Sequence, residues 1–289
     1  MAAAQKEKGK LYVVATPIGN LEDITYRAVR MLREVDLIAC EDTRQTRKLL
    51  EHYQIQKPTI SYHEHNEQER AQELITKLQE GLSIAQVSDA GMPGISDPGY
   101  RVIRLAIEHS ITVVPIPGAS ALVAALAVSG LPIDTFEFRG FLPAKSGQRR
   151  TALESLRDVQ QTVIFYEAPH RLLGTLGEIA EILGPERQVV IARELTKLHE
   201  EFIRGTAEEI LKTFHNREFR GEVTLLIGKA EAAAPAAKEK DLPARLREIM
   251  QAQQLDEKAA LKVLAKEQGI SKSELYRELQ RVQNHPHRN

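Results

Sequence analysis

Short apolar runs alternate with amphipathic stretches through the first two-fifths of the chain. Leu11–Ala15, Leu37–Cys40, Ser83–Val87 and Thr112–Pro115 are rich in Val, Ile and Leu and predict strands. Between them Ile24–Val35, Thr43–His52, Glu67–Glu80 and Tyr100–His109 place apolar residues three and four apart and predict helices. Asp23 is positioned to cap the first of these helices and Gly81 to end the third. Strand and helix in strict alternation is the pattern of a parallel α/β sheet.

The pattern changes after Gly118. A helix of tiny residues, Ala119–Val128, leads into a passage punctuated by Gly and Pro from Gly130 to Gly147. Strand patterns follow at Thr162–Tyr166, Gln188–Ala192, Glu200–Ile203 and Glu222–Ile227, with helices at Arg171–Leu183 and Ala207–Phe214. Several of these strands follow one another without a crossover helix, so a mixed sheet is expected. Ala230–Lys240 is low in complexity and reads as a linker. Three amphipathic segments come after it, at Asp241–Gln251, Asp256–Gln268 and Ser271–Val282. The expected fold is therefore α/β, with domains at 1–118 and 119–229 and a small helical unit at 241–289. No internal repeat is visible.

Composition narrows the function classes without choosing one. Of 289 residues 42% are hydrophobic and 27% charged, an ordinary globular balance. Lys and Arg number 39 against 40 Asp and Glu, so no global charge announces a nucleic-acid partner, although local basic patches remain open. The single cysteine, Cys40, sits in an apolar strand run, which excludes an internal disulfide and a cysteine zinc cluster and reads as a buried thiol. The start lacks a secretory apolar stretch and no window is long and apolar enough to span a bilayer, so a cytoplasmic protein is expected.

Three loops follow predicted strands with small, turn-forming residues. Ala15-Thr16-Pro17-Ile18-Gly19-Asn20 is neither a dinucleotide fingerprint nor a P-loop, but it stands where open α/β sheets place ligands. Val87–Gly99 (VSDAGMPGISDPG) is the most informative stretch, since eight of its thirteen residues are Gly, Pro, Asp or Ala. Small residues let a ligand approach the main chain. Within it Asp97-Pro98-Gly99 looks like a helix start with Asp97 as the cap, whereas Asp89 has no capping role and is the better ligand candidate. Val114–Ala121 (VPIPGASA) repeats the strand, Pro-Gly corner and helix arrangement. If the three strands lie side by side the loops form one cleft; simple turns and tight packing explain the same residues.

The second half closes its strands with ionisable groups, in Phe165–Arg171 (FYEAPHR) and Ala192–Lys197 (ARELTK). These suit substrate binding or proton transfer, and equally surface ion pairs. His170 caps, packs or reacts, and Arg171 is placed to hold a phosphate. Arg139–Arg150 carries Arg139, Lys145, Arg149 and Arg150 with no acidic residue, which suits phosphate contacts; Phe141 offers a stacking surface or a loop anchor. No paired histidines stand at metal-ligand spacing and no GxSxG elbow occurs, so neither a metal nor a serine nucleophile is expected. The tail pairs a Gly-ended helix, Ala259–Gly269, with a Ser-capped one, which resembles helix-turn-helix spacing. From Asp241 to Asn289 nine basic residues face seven acidic ones, a net of only +2, so packing and nucleic-acid reading stay equally open.

Together ATPIGNLED, SDAGMPGISDPG, PIPGASA, YEAPHR and ARELTK resemble the tetrapyrrole-methylase superfamily, and within it the small-subunit ribosomal RNA ribose 2′-O-methyltransferase branch. The resemblance runs from Leu11 through the C-terminal helices. It implies two α/β domains with S-adenosylmethionine folded into the cleft between them, without a metal, in a homodimer. The donor would meet Pro17, Gly19, Asp89, Gly94, Ile95, Ser120, Ala121, Tyr166, Glu167 and Ala192. The substrate it implies is a cytidine ribose in the decoding region of 16S ribosomal RNA, free or in the assembled small subunit. Ser88-Asp89-Ala90 stands where the superfamily often has Gly-Asp-Pro, a departure that fits the RNA branch. A ribose hydroxyl needs a base, and Glu167, Glu194 and Lys197 are the candidates, with His170 a fourth; Arg193 would orient the neighbouring phosphate. Methylation of a tetrapyrrole or other metabolite, and a DNA-binding regulator that senses a ligand, are the competing readings.

Overall fold

In the computed structural model residues 8–230, 242–267, 271–272, 275–277 and 279 are described. The first compact unit ends at Ala230 and holds two five-stranded sheets; the second begins at Glu231.

The first sheet comprises β1 (Lys10–Val14), β2 (Leu37–Cys40), β3 (Thr59–Ser61), β4 (Ile84–Gln86) and β5 (Thr112–Ile116), in the order β3-β2-β4-β1-β5. Every pairing is parallel. The crossovers carry α1 (Tyr26–Glu34), α2 (Thr43–His52), α3 (Glu67–Gln79) and α4 (Tyr100–Glu108). A parallel sheet is covered on both faces, which is why its strands read as unbroken apolar runs. Successive residues divide between the two covers. Ile38 and Cys40 pack with Ala28, Met31 and Leu32 of α1, while Ala39 packs with Leu74 and Ile75 of α3 and Val102 of α4. Cys40 is buried, and burial pushes its thiol pKa up.

Two sequence expectations change here. The first helix begins at Tyr26 with Thr25 as its cap, the hydroxyl accepting from the Ala28 N–H at 3.1 Å, and Asp23 lies in a preceding 3-10 turn. The helix after the second loop begins at Tyr100 with Gly99 at the cap and no side-chain cap bond. Asp97 and Pro98 therefore stand outside it.

After α5 (Ala121–Ala127), the second sheet comprises β6 (Phe136–Phe141), β7 (Thr162–Glu167), β8 (Gln188–Arg193), β9 (Glu201–Thr206) and β10 (Val223–Ile227), ordered β6-β7-β10-β8-β9. It is mixed, as expected: β6 runs parallel to β7 and the other pairings are antiparallel. One face packs Val163, Phe165, Ile191 and Leu225 against α6 (Ser146–Glu154), α7 (Leu172–Leu183) and α8 (Ala207–Phe214). The other packs Ile164, Val190, Ala192 and Leu226 against Leu122, Ala125 and Leu126 of α5 and against Ile18 from the first loop. That last contact joins the first loop to the second sheet.

In the second unit α9 (Leu242–Gln253) and α10 (Glu257–Glu267) bury Leu246, Ile249, Ala260 and Leu264 with Leu275 and Leu279. Asp256 caps α10, accepting from the Ala259 N–H at 2.7 Å. The expected linker and the turn of the helix-turn-helix reading, 268–270, lie outside the described residues. No helix among the described residues is long and apolar enough to cross a membrane.

Candidate active site

Strands β4, β1 and β5 are neighbours, so the three small-residue loops that follow them emerge side by side at the carboxyl edge of the sheet. Main-chain bonds fix the first loop to the second: the Thr16 N–H donates to the Gly91 carbonyl at 2.9 Å and the Gly91 N–H to the Thr16 carbonyl at 3.1 Å. The Thr16 hydroxyl donates to the Ser88 carbonyl at 3.0 Å. The third loop lies directly on the first, where a Cβ on Gly118 would stand 2.9 Å from the Cβ of Ala15. Only glycine permits that approach.

The opposing wall comes from the second sheet. Tyr166, Thr224 and Ala192 are register partners across β7, β10 and β8, so their side chains share the face that carries Ile164, Leu226 and Val190. Between loops and sheet is a cavity of about 300 Å³. Of the donor-contact candidates, Ile95, Ser120, Ala121, Tyr166, Glu167 and Ala192 line it. Pro17 is buried beside it, and Gly19 lies beneath Lys197, where an added Cβ would come within 2.4 Å of the Lys197 Cγ. Asp89 and Gly94 of the second loop are exposed and are not among the residues lining the cavity. The Asp89 carboxylate accepts from the Asp42 N–H at 3.1 Å, and burial together with the charge of Asp42 raises its pKa.

Three of the four proton-transfer candidates are engaged elsewhere. Glu167 alternates with Tyr166 along β7, so its side chain turns away from the cavity toward α7 and is fully buried. Its Oε1 accepts from the Ala168 N–H at 2.6 Å and from Arg171 Nε and Nη2 at 3.0 and 2.5 Å. Its Oε2 accepts from the Thr175 hydroxyl at 2.8 Å. Lys197 Nζ donates to Glu194 Oε1 and Glu222 Oε2, both at 2.9 Å. Burial opposes its charge, yet these two carboxylates still raise its pKa. The same bond to Lys197 holds the Glu194 pKa low, and Glu194 also accepts from the Glu222 N–H at 3.0 Å. Glu194 and Thr196 both have left-handed backbones, φ 52° and 66°, so this turn is held in place by its bonds. His170 sits in a 3-10 turn on the way into α7.

Most cations expected at the RNA face are paired. Arg139 forks onto Glu137 at 2.8 and 2.9 Å, and Arg150 onto Glu181 at 2.6 and 2.7 Å. Arg149 is buried and forks onto Glu178 at 2.7 and 2.9 Å. Arg171 belongs to the Glu167 pair, and Arg193 binds Glu201 at 3.1 Å and two main-chain carbonyls. Lys145 alone of the six is exposed with no ion pair among the described residues.

Two residues outside the expected donor and base sets also line the cavity: Phe141, read from the sequence as a stacking surface or loop anchor, and Asp97, read as a helix cap. Phe141, 61% exposed, lies edge-on to Tyr166 with centroids 5.4 Å apart at the mouth of the cavity. Asp97 lines the cavity from the second loop. The wall carries the carboxylates of Asp97 and Glu222, while Glu167 contributes main chain only, and it holds no Lys, Arg or His. That charge suits a cationic ligand, and the mixture of apolar side chains with Ser120, Thr224 and Tyr166 suits a nucleoside. The residues present thus fit a sulfonium donor bearing adenosine.

Residues 10–211 match the family model for tetrapyrrole (corrin/porphyrin) methylases. The chain belongs to this family. Its curated relatives include proteins named ribosomal RNA small subunit methyltransferase I. The one from Halalkalibacterium halodurans is 50% identical over 93% of this chain and 94% of its own length. That from Synechocystis is 51% identical, over 93% and 96%. That from Thermotoga maritima is 50% identical and is covered entirely by 77% of this chain. Among solved structures, uroporphyrin-III C-methyltransferase from Thermus thermophilus complexed with S-adenyl homocysteine superposes with a TM-score of 0.54 at 19% identity, covering 77% of this chain and 98% of that one. Cobalt precorrin-4 methyltransferase reaches 0.57 at 17% identity, over 76% and 94%. These two likenesses concern the fold.

Proposed function

We propose that the protein transfers a methyl group from S-adenosylmethionine to the 2′-oxygen of a cytidine ribose in the decoding region of 16S ribosomal RNA. The observation that carries this is the cavity: it is walled by carboxylates without a cation, and the chain is about half identical to small-subunit RNA methyltransferases over nearly its full length. Ile95, Ser120, Ala121, Tyr166 and Ala192 would hold the donor, which supplies an electrophilic methyl group when bound. Pro17 and Gly19 shape the first loop behind them, while Asp89 and Gly94 fix the second.

The protein's share of the work is orientation. In-line placement of a nucleophile is worth several orders of magnitude in rate, and loops locked through Thr16, Gly91 and Gly118 resist displacement. The exposed ring of Phe141 next to Tyr166 offers a face on which a base can stack at the entrance. Lys145 is the free cation closest in sequence to that ring and is our choice for a phosphate contact; the paired arginines hold the loop that carries it.

A homodimer is part of the reading. Val123 and Val128 at α5, with Ile133 and Phe136 leading into β6, leave about half of their surface exposed, an apolar area that a second copy would cover. The protein would act in the cytoplasm on the small subunit or its RNA. Transfer of labelled methyl to small subunits, with nuclease mapping, tests the proposal. Label on a decoding-region cytidine ribose supports it; donor binding without RNA labelling moves the substrate to a metabolite; no donor binding ends it.

A further inference from the structure

The proton on the accepting hydroxyl needs a destination, and Glu167, Glu194 and Lys197 are engaged with other groups, while His170 is exposed and is not among the residues lining the cavity. Glu167 spends both oxygens on Ala168, Arg171 and Thr175. Lys197 is held charged between Glu194 and Glu222, which makes it a donor and not an acceptor of protons. Glu194 is tied to Lys197 and to the Glu222 main chain. Glu222 reaches the cavity but extends into solvent with 71% of its side chain exposed.

Asp97 differs on each count. It is half-buried on the loop from the first sheet and lines the cavity opposite Phe141 and Tyr166 of the second. Its carboxylate has no hydrogen bond or ion pair among the described residues. It does not cap α4, because the helix starts at Tyr100 behind Gly99. Gly140 stands just across, where a Cβ would lie 3.6 Å from the hydroxyl of neighbouring Ser96. A carboxylate with nothing to neutralise it, held at the junction of both sheets, has no evident structural task.

We propose that Asp97 is the general base of the transfer. This rests on the reading that the chain methylates a ribose hydroxyl. The 2′-oxygen bonds to the methyl carbon, the carbon–sulfur bond breaks with its electron pair passing to sulfur, and the hydroxyl proton passes to Asp97, which later releases it to water. The charge count balances: a sulfonium and a carboxylate become a thioether and a carboxylic acid.

The surroundings tune this group. Burial, then repulsion from Glu41 at the end of β2 and Asp89 on the same loop, pushes the Asp97 pKa up to about 7. Glu64, Glu67 and Tyr100 line a second cavity that shares Asp97 and Ser96, and Tyr166 faces it from β7. No cation among these neighbours opposes the shift. A base is most effective when its pKa lies near the working pH, because it is then both ionised and basic enough to take the proton. The active form is the carboxylate, so kcat/KM rises with pH through about 7, and the positive charge of the bound donor moves the rising limb of kcat to lower pH.

The test is steady-state transfer to small subunits from pH 5.5 to 9, with donor affinity measured by calorimetry. For Asp97→Asn we expect kcat to fall by about 10²–10⁴-fold, donor to remain bound with its affinity lowered by no more than about tenfold because Glu222 stays in the wall, and the rising limb of the profile to vanish. Asp97→Glu should recover part of kcat together with a rising limb. An Asn variant within about threefold of wild-type kcat, an unchanged limb, or loss of donor binding overturns the assignment. A wild-type protein that binds donor but labels no subunit overturns the substrate reading, and the assignment with it; a wild type that labels while the Asn variant labels equally overturns only the assignment.

Discussion

Replacing Glu167 separates an anchoring role from a chemical one. Its carboxylate is fully buried and accepts four hydrogen bonds, two of them from Arg171, whose side chain is 18% exposed. Glu167→Ala leaves the Arg171 guanidinium with the Leu142 carbonyl at 3.3 Å as its remaining partner. Removing one member of a buried pair costs about 3–5 kcal/mol, because the survivor keeps its desolvation without its counter-charge. Glu167→Gln keeps one carbonyl for Arg171 and Ala168 and can turn its amide toward Thr175, whose hydroxyl also accepts; the cost falls to about 1–3 kcal/mol. At about 2–4 °C per kcal/mol for a unit of this size, the Ala variant should melt about 6–20 °C below wild type and the Gln variant about 2–12 °C below. Thermal melts and labelled-methyl transfer on the same samples make the measurement. A Gln variant that melts with wild type yet has lost turnover would refute the anchor and return Glu167 to the role of base. An Ala variant within about 2 °C of wild type would show that the pair contributes nothing.

Other substitutions follow from the same accounting of partners. Asp97→Asn should raise stability at pH 8 and leave it unchanged near pH 4: the folded pKa of about 7 lies above the unfolded value, so ionisation destabilises the wild type progressively across that window. Urea midpoints at several pH values check this, and a variant less stable at pH 8 contradicts it. Arg149→Ala should lower the melting temperature by removing a buried fork onto Glu178, whereas Lys145→Ala should leave melting unchanged and reduce the salt slope of RNA binding by about 1. Gly221→Ala should destabilise by about 1–3 kcal/mol, since the residue sits at φ 85° and a Cβ would stand 2.3 Å from the Glu194 carboxylate; a melt equal to wild type would refute it.

The strands and helices of the first sheet were legible because both faces are covered, and continuous apolar runs between amphipathic helices have few other meanings. Two strands were not. β3 is three half-buried residues at the sheet edge, too short to show a period. β6 carries Arg139 and Gly140 in a Gly/Pro-rich neighbourhood and changes register between Phe138 and Phe141, which hides its alternation. The cleft was legible in outline: three loops of small residues were expected at adjacent strand ends, and β4-β1-β5 places them there.

The ionisable groups were much less legible, for a reason the chain itself illustrates. A motif shows which charges exist, but what each can do depends on partners distant in sequence. Arg149 looked like a phosphate contact until Glu178, 29 residues on, was found to hold it, and Lys197 looked like a base until Glu222 joined Glu194 around it. One local signal was available and not used. Strand alternation in Thr162–Glu167 puts Tyr166 and Glu167 on opposite faces, so a cavity that Tyr166 lines is one that the Glu167 side chain must leave. The same logic runs in reverse for Asp97: its helix-start context suggested a cap, and once Gly99 takes that position the carboxylate is left without a structural partner, facing the one space where a proton has to go.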